Sequence, residues 1–335
     1  MSDPVRFGVL GCGSIARRKM LPAMRAHPSV EIAAVASRDP AKAVRFAAEF
    51  GGAPVTGYRE LLARGDVDAV YVALPTGLHH EWARAGLAAG KHLFVEKLLT
   101  PSSAQTAELF AQAAERGLVL RENVMFLHHG QHPALRSLVA DGALGEVRGF
   151  DGVFCVPPFP PGDVRYVPEL GGGALLDLAV YPLRAALYHL DDALSVVGAV
   201  LYEDGEVDVA CSALLLSGGG VPVTIRVGCR HAYESRYALC GTDARLDLDR
   251  AFTPPPEHRP RAWLTGPDGR RDIDLAPDDQ FGNALGAVVA AVRSGATARI
   301  DGVAERASIR TVELIEDIQR VARRVPVPSI AEPTR

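Results

Sequence analysis

Lysine is scarce in this 335-residue chain: only Lys19, Lys42, Lys91 and Lys97 carry an ammonium among 36 basic residues, and the rest are arginine. Surface positive charge is therefore left to guanidinium. A lysine just past a buried strand then invites a chemical explanation, because lysine can be desolvated, shifted in pKa or made to give up a proton where arginine cannot. A basic surplus is lacking too, and a net charge of −4 provides no surface to hold nucleic acid or an anionic membrane. Long apolar runs are missing. The longest, such as 284–292, are broken by glycine and too short to span a bilayer. The opening MSDPVRFGVLGCG has an acid and a glycine turn where a signal peptide needs an unbroken apolar stretch, so a cytoplasmic protein is expected. Cysteines number five, Cys12, Cys155, Cys211, Cys229 and Cys240, with no C-x-x-C pair. That argues against a disulfide framework and a zinc ribbon. His128, His129 and His132 have a spacing metals use, but HHGQHP reads as a loop ahead of a helix near Pro133, and no metal is expected.

What is present is ordinary for a globular protein, 48% hydrophobic and 23% charged, with length enough for two cores. The run Val5–Leu10 leads directly into Gly11-Cys12-Gly13-Ser14-Ile15-Ala16, after which 17–25 continue as a helix. This G-x-G-x-x-A follows a strand and opens a helix, the context in which freed amides face a pyrophosphate. The next strand, 30–36, ends in Ser37-Arg38 where an NAD site places an acid. A hydroxyl and a guanidinium suit a 2′-phosphate, so NADP is expected. Asp39, followed by Pro40, reads as the cap of a helix over 41–50.

The stretch 67–100, VDAVYVALPTGLHHEWARAGLAAGKHLFVEKLLT, holds two strand-like runs around an alanine-rich helix. A strand–helix–strand crossover makes the strands parallel and puts Leu74-Pro75-Thr76 and Glu96-Lys97 at their carboxyl ends, where ligands sit. Lys97 is thus a functional candidate, the alternative being a solvated lysine paired with Glu96. A helix over 103–116 and a strand over 118–121 complete six strands of a doubly wound parallel domain spanning 1–123.

From 124 to 335 the pattern changes to an α+β domain. β-rich runs at 148–156, 195–202, 207–216, 221–228 and 236–248 have short glycine-rich links, which makes a mostly antiparallel open sheet. A helix is expected over 174–190, with two more over 279–293 and 303–323, the last free to pack back on the first domain. The triple glycine 171–173 precedes Asp177 and Tyr181, one helical turn apart on a shared face. Asp177 could orient a hydroxyl or an amide, and Tyr181 offers a phenol able to protonate an alkoxide. Alternatively, Tyr181 is a half-buried core aromatic and Asp177 is solvated.

These motifs, GCGSIA, ASR, LPTGLHHEWA, GKHLFVEK and GGGALLDLAVYPL, resemble those of the Gfo/Idh/MocA oxidoreductase family over nearly the whole chain. Within it, RRKMLPAMRAHP, RENVMFLHHGQHP and PPGDVRYVPELGGGALLD are similar to the NDP-hexose 3-ketoreductases of deoxysugar biosynthesis, including antibiotic sugars. Two positions depart from the family pattern. Leu98 stands where the family commonly has proline, removing an imide that would favour a cis bond. Tyr181 stands where it commonly has histidine, which suits a ketone reductase, because a phenol is a proton donor rather than a base near neutral pH.

The resemblance implies that Gly11, Cys12, Gly13, Ser14, Ile15, Ala16, Arg17, Arg18, Ser37, Arg38, Tyr58, Leu74 and His79 line an NADP site. It brings Arg165 and Asp177 to the cofactor from the second domain, and turns Lys19, Tyr181 and Tyr237 to substrate. Lys97, helped by Tyr181, would be catalytic. The expected reaction is NADPH-dependent reduction of the C3 keto group of a dTDP-linked 3,4-diketo-2,6-dideoxyhexose by a homodimer or homotetramer. Two alternatives are an NAD(P)-dependent sugar or cyclitol dehydrogenase of the same family, and a non-catalytic dinucleotide-binding regulator.

Overall fold

The structure, a computed structural model, describes residues 3–190, 193–295 and 302–327. Two compact units make up the chain, Met1–His129 with Asp279–Ile309, and Gly130–Asp278 with Arg310–Arg335. The division differs from a single cut after 123, because the helix Gln280–Arg293 belongs to the first unit. Its buried face, Phe281, Ala284, Leu285, Val288 and Val289, accounts for this, as do bonds from Asn283 to the His128 carbonyl and from Arg293 to Ser29.

In the first unit β1 (Val5–Leu10), β2 (Val30–Ser37), β3 (Ala53–Thr56), β4 (Ala69–Val72), β5 (His92–Glu96) and β6 (Leu120–Asn123) form one sheet. Its order is β3-β2-β1-β4-β5-β6 and every pairing is parallel. Core residues such as Phe7, Val9, Val70, Tyr71, Phe94 and Val95 are buried, as strands covered on both faces require. The order reverses between β1 and β4, opening a crevice at their carboxyl ends. β6 begins two residues later than expected because Gly117, at φ +64°, closes the helix Ser103–Glu115. The Leu118 amide bonds back to Ala113 and that of Gly117 to Ala114, a Schellman closure that keeps Leu118 out of the strand.

The segment after the glycine turn winds as a π-turn over Ala16–Met20 before the α-helix Leu21–Ala26. Leu21 donates to Ala16, five residues back, and Pro22 has no amide to give.

The second unit is a nine-stranded sheet of β7 (Val147–Cys155), β8 (Ser195–Asp204), β9 (Val207–Leu216), β10 (Pro222–Gly228), β11 (Glu234–Gly241), β12 (Arg245–Asp249), β13 (Arg261–Gly266), β14 (Gly269–Ile273) and β15 (Arg323–Pro326). The order is β14-β13-β12-β11-β7-β10-β9-β8-β15, antiparallel except for β7 with β10 and β8 with β15. The single run expected over 236–248 is a hairpin, because Thr242 and Asp243 turn the chain and tie it to Glu146 and Leu144. Along β10, Val223, Ile225 and Val227 point into the core while Thr224 and Arg226 point out, the alternation of a sheet with one bare face.

The helix expected over 174–190 is two, Ala174–Leu178 and Val180–His189, and the segment Pro168–Leu178 bends by 43° from the second. Pro182 explains the break: it offers no amide to Leu178, and proline is tolerated only in the first turn of a new helix. Asp177 and Tyr181 therefore lie on different helices. Among the described residues no single helix is long and apolar enough to cross a membrane.

Candidate active site

Within the first unit, the dinucleotide motif lies at the crevice. Gly11 has φ +100°, and a Cβ there would fall 2.6 Å from the Ala73 carbonyl and 2.8 Å from Leu74. Only glycine fits, so the backbone is left bare for an incoming pyrophosphate, and the turn suits a dinucleotide. Ala16 is buried against the sheet, while Ser14 and Arg18 are exposed and Gly13 and Ile15 half-exposed. Arg17 pairs with Glu49 at 2.9 Å. The Cys12 thiol faces the Ala36 carbonyl at 3.9 Å, and burial pushes it up to about 11, so it stays protonated.

At the end of β2 the Ser37 hydroxyl accepts from the Asp39 amide at 3.1 Å, which leaves its own proton to donate. Arg38 is exposed beside it. Asp39 caps the helix Pro40–Phe50, accepting from Ala41 and Lys42, and so is committed to structure rather than to a ribose. Burial raises the Tyr58 phenol, against the pull of the nearby Arg38 guanidinium. Trp82 meets the Tyr58 ring edge-on at 4.9 Å.

Lys97 is half-buried in a run whose neighbours Val95, Glu96, Leu98 and Leu99 are all buried. Glu96 is spoken for by two donors, the Tyr71 hydroxyl and the Asn123 amide, both at 2.6 Å. The Leu99 amide donates to Glu122 at 2.8 Å. The Lys97–Leu98 peptide is cis although its second residue is leucine. Of the other lysines, Lys91 gives its ammonium to the Arg64 and Val67 carbonyls, and Lys19 lies 6.0 Å from the Phe281 ring.

His79 departs from the role expected of it. It is 0% exposed, so its ring offers no atom to a cofactor; Nδ1 lies 2.9 Å from the Leu98 carbonyl and Nε2 2.7 Å from that of Leu74. Leu74 itself is half-buried at the mouth of the crevice.

In the second unit Arg165 and Asp177 come together: Nε donates to the carboxylate at 2.7 Å, and a second guanidinium nitrogen reaches Asp163 at 3.0 Å. The Phe159 ring lies 4.2 Å from the Arg165 guanidinium. The glycine run folds back on the same segment, with Gly173 donating to the Arg165 carbonyl and Gly172 to that of Val167. Asp208 of β9 was not singled out by sequence, its one signal being an acid inside an apolar strand. It accepts the Leu175 amide at 2.6 Å and so caps the helix that carries Asp177. Burial pushes its carboxyl up to about 6.

Tyr181 is 5% exposed, packed edge-on to Phe154 at 4.6 Å and tilted against Phe252. Tyr237, expected at the substrate, is 1% exposed, and its hydroxyl sits between His132 at 3.1 Å and His189 at 3.0 Å. It is a core residue, because burial among Phe150, Phe252 and two imidazoles leaves no atom for a substrate.

Comparison with known proteins agrees with this architecture. The model of the oxidoreductase family GFO_IDH_MocA with an NAD-binding Rossmann fold matches residues 5–124, and the GFO/IDH/MocA C-terminal domain matches 132–247. The dTDP-3,4-didehydro-2,6-dideoxy-alpha-D-glucose 3-reductase of Streptomyces antibioticus is 47% identical over 96% of this chain and 98% of its own. That of Actinomadura kijaniata is 44% identical over 98% of each. The crystal structure of a 3-ketoreductase from Actinomadura kijaniata in complex with NADP and TDP-benzene has a TM-score of 0.94 and 44% identity, covering 97% of this chain and all of that one. With both of its parts matched, the chain belongs to the Gfo/Idh/MocA oxidoreductase family.

Proposed function

We propose that this chain reduces the C3 keto group of a dTDP-linked 3,4-diketo-2,6-dideoxyhexose with NADPH, as a step in deoxysugar biosynthesis. The observation that carries the mechanism is Lys97, half-buried at the carboxyl end of β5 in the same sheet whose glycine turn is bare for a dinucleotide. NADPH, when bound, supplies the hydride that adds to C3. The backbone amides of Gly11 to Ala16 would hold its pyrophosphate. Ser37 and Arg38 would bond its 2′-phosphate, the first with its hydroxyl proton and the second with charge. Arg165 and Asp177, ion-paired to each other, are assigned to cofactor binding and Lys19 to substrate.

Lys97 gives a proton to the C3 oxygen as negative charge gathers there, which stabilises the charge where it forms and yields the alcohol. Tyr181 helps Lys97 supply that one proton. The enzyme works in the cytoplasm as a homodimer or homotetramer, binding neither nucleic acid nor membrane. Support for assembly comes from the bare face of the second sheet, where Val197, Leu214 and Leu216 are exposed beside Arg226, Arg236 and Arg245.

The test is NADPH consumption across a panel of nucleotide-linked ketosugars. Turnover restricted to dTDP-linked 3,4-diketo sugars is expected. Oxidation of free inositol or glucose with NAD, and none of the ketosugars reduced, would overturn the reading.

A further inference from the structure

We propose that His79 is a positioning residue for Lys97: its buried imidazole bridges the Leu98 carbonyl, one residue beyond the lysine, to the Leu74 carbonyl at the mouth of the crevice. This inference rests on the catalytic reading of Lys97. The ring opens the helix His79–Ala88 and is 0% exposed, so a cofactor cannot touch it. Its two nitrogens stand 2.9 and 2.7 Å from carbonyls on different strand ends, after β5 and after β4. A buried carbonyl without a donor is costly, and the ring, kept neutral by burial, has one N–H to give to one of the two while its other nitrogen lies against the second.

The neighbouring grips make the geometry specific. Glu122 of β6 holds the Leu99 amide, and Tyr71 with Asn123 holds the Glu96 carboxyl. Backbone and side chain are thus fastened on both sides of residue 97, while the lysine remains half-exposed. His79 is the member of this set that also fixes the distance to the Leu74 turn. The charged groups facing its ring are Glu122 and Lys97 itself. A displacement of about 1 Å at a reacting group costs about a hundredfold in rate, so such a brace has a kinetic signature.

The experiment compares His79→Leu, which removes the ring and its one N–H donor, with His79→Gln, which keeps a side-chain donor. Expected is a fall in kcat of about a hundredfold for His79→Leu, partly recovered by His79→Gln, with NADPH affinity changed less than about threefold. A readout independent of turnover uses the scarcity of lysine. Reductive ¹³C-dimethylation labels amines while keeping their charge, and the Lys97 signal is assigned by its loss in Lys97→Arg. In both His79 variants its titration should move while those of Lys19 and Lys42 stay. A Lys97 titration superimposable on wild type, or a kcat that falls only in step with NADPH affinity, would overturn the proposal.

If wild type reduced no ketosugar, the proposed reaction would fail while the lysine titration still decided the question of positioning. If neither variant folded, ¹⁵N spectra of wild type would decide: a slowly exchanging His79 ring proton is expected, and one exchanging with water at once contradicts the bridge.

Discussion

The phenol of Tyr71 donates to the carboxyl of Glu96 at 2.6 Å inside the parallel sheet, one residue before Lys97. Burial raises the Glu96 pKa, and the bonds from Tyr71 and Asn123 offset only part of that rise. Replacing Tyr71 by phenylalanine removes a donor without changing the ring. The variant should lose about 1–3 kcal/mol of stability, since a buried acceptor is left short of a partner. Urea unfolding checks this, and an unchanged midpoint would contradict it.

A second expectation concerns Asp208, whose carboxyl is pushed up to about 6 by burial. A raised carboxyl pKa means that the folded state prefers the protonated form. Its contribution is complete below the ordinary carboxyl value and is lost as pH rises through about 6. Asp208→Asn keeps an oxygen for the Leu175 amide and removes the charge. The variant should gain stability over wild type on the order of 1 kcal/mol at neutral pH, with the gap closing in acid. Calorimetry across that range decides; a gap that widened in acid would contradict the assignment.

How far the sequence could be read follows from how local each signal is. The glycine turn, the Asp39 cap and the crossover ending at Lys97 are written in contiguous residues, and the structure places all three at strand ends. The break before Val180 was hidden because Pro182 suits the first turn of a helix as well as it ends one. The 236–248 run has continuous strand propensity, so the turn at Thr242-Asp243 emerges only from its bonds to Glu146 and Leu144. Asp208 meets Leu175 across 33 residues, and His79 and Tyr237 are enclosed by residues far along the chain. No periodicity reports such tertiary burial, so two residues expected at ligands are found enclosed in the core.

Cofactor choice follows from the end of β2. Arg38→Ala removes a charge-assisted donor, and NADPH affinity should fall about 10- to 100-fold while NADH affinity holds. Fluorescence titration with both coenzymes measures this, and an equal loss for both would contradict the 2′-phosphate assignment.

Assembly is open to a simple perturbation. Leu214 is exposed on the bare face of the second sheet, and if the proposed oligomer forms through it, a charge placed there by Leu214→Glu should lower the sedimentation mass toward that of one chain. An unchanged mass would exclude this face as the interface.

The most direct test of the whole account is single-turnover reduction of the dTDP-linked diketosugar by Lys97→Ala. The rate should fall by about 10² to 10⁴ while NADPH binding stays nearly intact, as expected when a proton donor is lost but the cofactor site is not. Reduction at the wild-type rate by that variant would contradict it.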